Sequence, residues 1–208
     1  MTPRLGVLIS GRGSNLQSLI DATASGTLPA RIVVVISNQE DAAGLDRARA
    51  AGIEAISISH KGWPSRDHYD AALAEALRER QVDLVCLAGF MRVVGPKLLD
   101  AFPRAVLNIH PSLLPSFPGI DAQRQAFEHG VAVTGVTVHF AGPTLDSGPI
   151  ILQRAVPVLP GDTVDTLRAR ILVEEHQAYP EAIAVVLKGG WRIDGRRFVP
   201  SHGRTQAG

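Results

Sequence analysis

Short apolar segments alternate with helical patterns along the first half of the chain. Strands are predicted for the five most apolar segments, residues 5–10, 31–37, 55–58, 84–88 and 105–110. The second segment, RIVVVIS, is apolar at nearly every position, which is typical of a strand that is covered on both faces. Helices are predicted between the strands, over residues 16–23, 44–51 and 96–102 and after a Ser65 cap. Alternating strands and helices of this length predict a parallel sheet with right-handed crossovers.

The second half of the chain follows a less regular pattern. Residues 133–140 and 150–158 are strand-like and close enough in sequence to pair as an antiparallel extension of the sheet. A long helix is predicted from residues 162–163 to about 187, with a kink or break near Tyr179 because Pro180 cannot donate a backbone hydrogen bond. Asp194-Gly195 predicts a hairpin between residues 191–194 and 196–199. The expected fold is therefore α/β, an open, mainly parallel, twisted sheet with helices on both faces, forming one domain over residues 1–208 with a loose tail from about residue 200.

Composition and charge narrow the functional classes. The chain has 208 residues and a formal net charge of +1, so it lacks the basic field typical of nucleic-acid or anionic-membrane binding. The longest apolar run is far shorter than the roughly 18 residues that a membrane span needs. The single cysteine, Cys86, lies in an apolar run and is interpreted as a small buried hydrophobe, and no Cys/His spacing suggests a zinc site. A cytoplasmic protein that binds neither nucleic acid nor membrane is expected.

The first predicted strand leads into a glycine-rich turn, Gly11-Arg12-Gly13-Ser14-Asn15. A turn of this kind before a helix can present free backbone N–H groups to a phosphate. The turn is not a dinucleotide fingerprint, because Leu16 takes the place of the third glycine and Asn38, not an acidic residue, follows the second strand. An ordinary turn capped by Ser14 stays an open alternative.

Asn108 and His110 are two positions apart on a predicted strand, so their side chains leave the same face near its carboxyl end. An amide can donate to a developing oxyanion, and an imidazole can hold or move a proton, which together suit acyl transfer. Asp146, in a turn between two strands, is a carboxylate that could lie beside His110 and favour the charged ring. A buried hydrogen-bonded histidine and a turn-forming aspartate are the alternatives. Because no serine or cysteine lies in a nucleophile elbow, direct transfer between two bound substrates is favoured over an acyl-enzyme.

Five segments of the chain carry a resemblance to a known family. They are ISGRGSNL at residues 9–16, LAGFMR at 87–92, LNIHPSLLP at 107–115, VHF at 138–140 and LDSGPI at 145–150. In this order they resemble the phosphoribosylglycinamide formyltransferase family, whose members are folate-dependent enzymes of purine (IMP) biosynthesis. The resemblance implies a Rossmann-like formyltransferase fold, 10-formyltetrahydrofolate as co-substrate, no metal, and formyl transfer to the amine of 5-phosphoribosylglycinamide through a tetrahedral intermediate.

The resemblance also implies roles for individual residues. Asn108, His110 and Asp146 would be the catalytic group. The ribonucleotide would be bound by Gly13, Ser14, Asn15 and Glu175, and the folate by Arg66, Met91, Arg92, Val93, Val94 and Asn108. The chain departs from the family pattern at Ser116, where a basic residue is common, and in the loop Asp121-Ala122-Gln123-Arg124, where many members carry histidines.

Two other functions compete with this interpretation. Formyltetrahydrofolate hydrolase and methionyl-tRNA formyltransferase share the Asn/His/Asp group, but they usually carry a further domain for which this chain has no room, and the near-neutral charge disfavours tRNA. A non-catalytic nucleotide-binding module would use only the glycine-rich turn and make no use of His110 or Asp146. Small-molecule partners are expected, and the sequence leaves the oligomeric state open.

Overall fold

The computed structural model describes residues 1–201, in which nine strands form a single sheet flanked by helices. The strands are β1 (Arg4–Ile9), β2 (Arg31–Ser37), β3 (Glu54–Ser57), β4 (Leu84–Leu87), β5 (Val106–His110), β6 (Val133–Phe140), β7 (Ile150–Pro157), β8 (Trp191–Asp194) and β9 (Arg197–Pro200). The helices are α1 (Ser14–Ala24), α2 (Ala43–Ala50), α3 (Arg66–Glu79), α4 (Pro96–Ala101), α5 (Ala122–His129) and α6 (Val164–Lys188).

The strand order is β3-β2-β1-β4-β5-β6-β7-β9-β8. The first five strands in this order pair in parallel, β6 pairs antiparallel with both β5 and β7, and β8 and β9 form the predicted hairpin. This arrangement confirms the predicted open, mainly parallel sheet with an antiparallel extension. The strand order changes direction at β1, because β2 and β3 lie on one side of β1 and β4 lies on the other. The loops that follow β1 and β4 are therefore neighbours at the carboxyl edge, where open α/β sheets bind ligands.

Apolar cores lie on both faces of the sheet. Along β1, Val7 and Ile9 pack into the core beneath α1 and α6, whereas Leu8 packs into the core beneath α3 and α4. Burial on both faces explains why the parallel strands read as continuous apolar runs, with no polar alternation. Cys86 is fully buried in the first of these cores, as its sequence context predicts.

Two sequence expectations about helices differ from the structure. Of the predicted kink or break near Tyr179, the break is absent, because α6 continues through Pro180 to Lys188. Buried Tyr179, Ala182 and Ile183 pack against the sheet on both sides of the proline, and this packing outweighs the lost hydrogen bond. Residues 122–124, interpreted as loop, form the first turn of α5.

The last predicted feature, a loose tail, lies mostly outside the described residues, because Pro200 ends β9 and the description stops at residue 201. Within residues 1–201, none of the helices combines the length and the apolarity that crossing a membrane requires.

Candidate active site

Strand β5 places the predicted amide and imidazole side by side. Asn108 and His110 lie at its carboxyl end, Asn108 half-buried and His110 only 4% exposed. Antiparallel pairing with β6 sets Asn108 opposite His139 and His110 opposite Thr137. The predicted pair is therefore held by strands on both sides.

Asp146 lies beside both members of this pair, as the sequence predicted it could. Its Oδ2 atom is 3.5 Å from Nδ1 of His110, and its Oδ1 atom is 3.5 Å from Nδ2 of Asn108. The β6–β7 turn brings it there with a positive φ of 49°, and the backbone N–H of Gly119 donates to Oδ2 at 2.8 Å. The three side chains that the sequence singled out for catalysis thus form one cluster.

The contacts of His110 fix which ring nitrogen donates to the protein. Nε2 lies 2.8 Å from the carbonyl oxygen of Phe117, which can only accept, so Nε2 donates. Nδ1 faces the Asp146 carboxylate, which also accepts. At 3.5 Å this second contact is long for a hydrogen bond, so Nδ1 is left accessible to a group bound in the cavity that His110 lines.

His139 is a site residue to which the sequence analysis assigned no role. Its Nδ1 donates to the carbonyl of Phe140 at 2.8 Å, so Nε2 is the acceptor and lies 3.1 Å from Nδ2 of Asn108. Burial lowers the pKa of His139, which keeps the ring neutral, although Phe140 and Asp146 act in the opposite direction. His139 thereby sets which way the Asn108 amide points. The available signal was a histidine near the end of a mostly apolar strand segment, and its pairing with Asn108 follows from the β5–β6 register.

A cavity of about 500 Å³ opens from this cluster. Asn108, His110 and Asp146 line it, together with Met91, Arg92, Val93 and Val94 from the predicted folate segment. Exposed apolar side chains surround its mouth, namely Met91, Val93, Ile120 and Leu145. Arg66 does not line the cavity but lies exposed at the start of α3, near the end of the segment at Gly95.

The glycine-rich turn lies at the start of α1, outside this cavity. Gly13 has a φ of 70° and precedes the helix, and no side chain caps the first turn, so the alternative in which Ser14 is the cap was wrong. An uncapped first turn leaves N–H groups free for an anion. Helix α2 supports the turn from below, since Gly44 donates a backbone hydrogen bond to Gly11 at 3.0 Å.

Glu175 reaches the same region from α6. It is 6% exposed and accepts a hydrogen bond from Nδ2 of Asn15 at 3.0 Å. Burial raises the pKa of Glu175 to about 7, and the Asn15 bond opposes this rise. Oδ1 of Asn15 is buried and has no hydrogen-bond partner among residues 1–201, which is unusual for a buried acceptor. Asn15 and Glu175 therefore meet as one polar pair, separate from the catalytic cluster.

The loop in which the sequence departs from the family pattern is held by its own contacts. Ser112 donates to the carbonyl of Ser116 at 2.5 Å, and His110 contacts the carbonyl of Phe117. Asp121 is bound by two arginines, Arg168 at 2.6 Å and Arg124 at 3.0 Å. An aspartate at this position thus links the start of α5 to α6.

Comparison with known proteins places this geometry in a family. The family model described as formyl transferase matches residues 3–183. Phosphoribosylglycinamide formyltransferase of Escherichia coli is 44% identical over 190 residues, which cover 91% of this chain and 87% of that protein. The crystal structure of glycinamide ribonucleotide transformylase 1 from Symbiobacterium toebii is 58% identical, with a TM-score of 0.94 over 96% of this chain and 94% of that chain.

Larger relatives also match. The trifunctional purine biosynthetic protein adenosine-3 of Bos taurus is 50% identical over 190 residues, which cover 91% of this chain. This chain spans only about a fifth of that relative, since the match covers 19% of its length.

Proposed function

The chain belongs to the formyl transferase family, among the phosphoribosylglycinamide formyltransferases, and we propose that it transfers the formyl group of 10-formyltetrahydrofolate to the amine of 5-phosphoribosylglycinamide. The products are N-formylglycinamide ribonucleotide and tetrahydrofolate, in purine (IMP) biosynthesis. The observation that carries this proposal is the cluster of Asn108, His110 and Asp146, which lines a cavity of about 500 Å³. The uncapped start of α1 supplies a separate place for the phosphate.

The cavity has the character that a pterin requires. A flat heteroaromatic ring binds between apolar walls and hydrogen-bonds to a few polar groups. Val94 supplies a buried apolar side chain to the wall, Met91 and Val93 are exposed, and Asn108 supplies a polar group. Arg66, outside the cavity, is proposed to contact the part of the folate that extends away from the pterin.

In the proposed reaction, the substrate amine forms a bond to the formyl carbon and the bond from that carbon to the folate nitrogen breaks. His110 is proposed to be protonated, so Nδ2 of Asn108 and Nδ1 of His110, each 3.5 Å from Asp146, both donate to the oxyanion of the tetrahedral intermediate. Asp146 is proposed to orient His110, since its Oδ2 atom lies 3.5 Å from Nδ1. The proton lost by the amine reaches the leaving nitrogen through a water held by Asp146.

The ribonucleotide is proposed to bind beside this cluster through separate groups. The backbone of Gly13, Ser14 and Asn15 binds the phosphate, and Glu175 contacts the ribose or amide. The unpartnered, buried Oδ1 of Asn15 supports this placement, because such an acceptor is ordinarily satisfied by a donor.

A two-substrate assay tests the proposal. With both substrates, formyl transfer should produce N-formylglycinamide ribonucleotide and tetrahydrofolate in equal amounts. Omission of the ribonucleotide should stop product formation. Rapid release of formate without the ribonucleotide would instead identify a formyltetrahydrofolate hydrolase, and no turnover of either kind would favour a nucleotide-binding module. The cytoplasmic location, the absence of a metal requirement and the absence of nucleic-acid or membrane partners stay predictions.

A further inference from the structure

Two loops lie next to each other at the carboxyl edge of the sheet, after the adjacent strands β1 and β4. The phosphate loop is residues 10–15, and the folate loop is residues 89–95. The inference below rests on the proposed function, in which these loops bind different substrates. It concerns how the protein connects the two sites.

Ser10 joins the two loops through its backbone and its side chain. Its N–H donates to the carbonyl of Gly89 at 3.1 Å, and its Oγ accepts from the N–H of Met91 at 2.8 Å. The same hydroxyl donates to Oδ1 of Asn38 at 2.5 Å. Both hydrogen-bonding functions of the hydroxyl are therefore used, one of them to hold the backbone of the folate loop.

A buried amide fixes the direction of this hydroxyl. Asn38 is 4% exposed, and its Nδ2 lies 3.1 Å from Nδ1 of His60. Because Nδ2 can only donate, His60 accepts there and Oδ1 is left facing Ser10. The Ser10 proton thus points to Asn38, and its lone pairs are directed to Met91.

The far end of the folate loop is held by a different residue. Asp70, on α3, is 2% exposed and accepts from the N–H of Gly95 at 2.6 Å. Burial raises the pKa of Asp70, while the Gly95 bond and Arg66 oppose the rise. Asp70 therefore holds the same loop as Ser10 but has no hydrogen bond to the phosphate loop among the described residues.

We propose that Ser10 is a positioning residue that couples the two substrate sites, so that phosphate binding at residues 11–15 strengthens folate binding at residues 89–95. A phosphate on the first loop restrains the end of β1. Through its hydroxyl, Ser10 then restrains the backbone of Met91, so the folate meets a loop that has already lost part of its conformational freedom. By thermodynamic reciprocity the folate strengthens ribonucleotide binding by the same factor. One hydrogen bond corresponds to a coupling of about threefold to tenfold.

The coupling can be measured with two ligands that do not react together, tetrahydrofolate and 5-phosphoribosylglycinamide. The dissociation constant of tetrahydrofolate is determined by calorimetry on the full chain, with and without saturating ribonucleotide. The ratio of the two constants should be about three to ten for the wild type and fall to within about twofold of one for Ser10→Ala. Ser10→Thr retains the hydroxyl and should restore the ratio. Asn38→Ala, which leaves Ser10 in place but removes its acceptor, should lower the ratio by a smaller factor.

Asp70→Asn is the matched control, because it weakens the attachment of the folate loop at the end away from Ser10. It should weaken tetrahydrofolate binding with and without ribonucleotide and leave the ratio at its wild-type value. A wild-type ratio of one, or an unchanged ratio in Ser10→Ala, would overturn the coupling while both ligands still bind. Failure of either ligand to bind the wild type would instead overturn the proposed function on which the coupling rests.

Discussion

Asn108 donates a hydrogen bond from Nδ2 to Nε2 of His139, which lies directly opposite it in the β5–β6 pair, at 3.1 Å. The neutral ring of His139 is 2% exposed and can accept only at this nitrogen, since Nδ1 is engaged by Phe140. The amide of Asn108 is therefore oriented with one N–H toward His139 and the other toward Asp146. A side chain with no proposed contact to substrate thus determines the direction of an oxyanion donor.

Replacing His139 should reduce turnover more than substrate binding. In His139→Ala the Asn108 amide loses its partner and can rotate, so we expect kcat to fall by about tenfold, near the effect of one misplaced donor, with the KM of the ribonucleotide little changed. Steady-state kinetics measure both constants. His139→Gln restores an acceptor and should recover part of the loss. Equal effects on kcat and KM in His139→Ala would contradict a positioning role.

Glu175 should make stability depend on pH in the acidic range. Its pKa is raised to about 7 in the folded chain, against an ordinary value of 4.5, so the folded state binds more protons than the unfolded state between these values. The free energy of unfolding therefore falls as pH rises through this window, by up to about 3 kcal/mol. Glu175→Gln cannot titrate, so its advantage over the wild type should be larger at pH 8 than at pH 5.

Urea unfolding at the two pH values measures this difference. Glu75→Gln, at an exposed position of α3, is the control and should follow the wild type at both. The same stability difference between Glu175→Gln and wild type at pH 5 and pH 8 would show that the buried carboxyl does not titrate in this range.

A methyl group at Gly44 should disturb the phosphate loop from below. A Cβ there would lie 2.5 Å from Cδ1 of the fully buried Ile9 and 3.2 Å from Cα of Gly13. Gly44→Ala is expected to lower stability by about 1–3 kcal/mol through overpacking and to raise the KM of the ribonucleotide several-fold, with a smaller effect on the KM of the folate. Thermal unfolding and steady-state kinetics test both parts. Ala50→Ser, at an exposed position of the same helix, should change neither the stability nor the KM of the ribonucleotide. An unaltered ribonucleotide KM in Gly44→Ala would show that α2 does not support the phosphate site.

The ion pair between Asp121 and Arg168 should hold the loop over the cavity. Asp121→Ala removes an acceptor of two arginines near Gly119, whose N–H donates to Asp146. We expect the KM of the folate to rise by about twofold to fivefold, a modest effect because water screens an exposed ion pair. Asp165→Ala removes only the more exposed second partner of Arg168 and is the control. A larger effect of Asp165→Ala than of Asp121→Ala would refute this role.

The sequence predicted those parts of the fold in which local pattern and tertiary packing agree. Strands such as β2 are buried on both faces, and this leaves a continuous apolar run that can be read directly. Asn108 and His110 could be placed on one face because strand alternation is local. The rule that ligands bind at the carboxyl edge of an open α/β sheet then predicts that they lie along the same edge as the glycine-rich turn.

Other features depend on contacts that no local pattern contains. The pairing of Asn108 with His139 follows from the β5–β6 register, and the Ser10–Met91 bond follows from the adjacency of β1 and β4. Helix α5 buries only two alanines, Ala122 and Ala126, so its apolar face is too small to be recognised in the sequence. Pro180 disfavours a continuous helix locally, but the packing of α6 against the sheet overrides this preference.

The turnover of His110→Ala with both substrates tests the central claim most directly, namely that His110, with Asn108 and Asp146, stabilises the oxyanion during formyl transfer. We predict that kcat falls by about 10²–10³-fold while the dissociation constant of 5-phosphoribosylglycinamide stays near that of the wild type, because the ribonucleotide is bound mainly through α1 and Glu175. A His110→Ala variant that is folded and retains a kcat within about twofold of the wild type would contradict the claim.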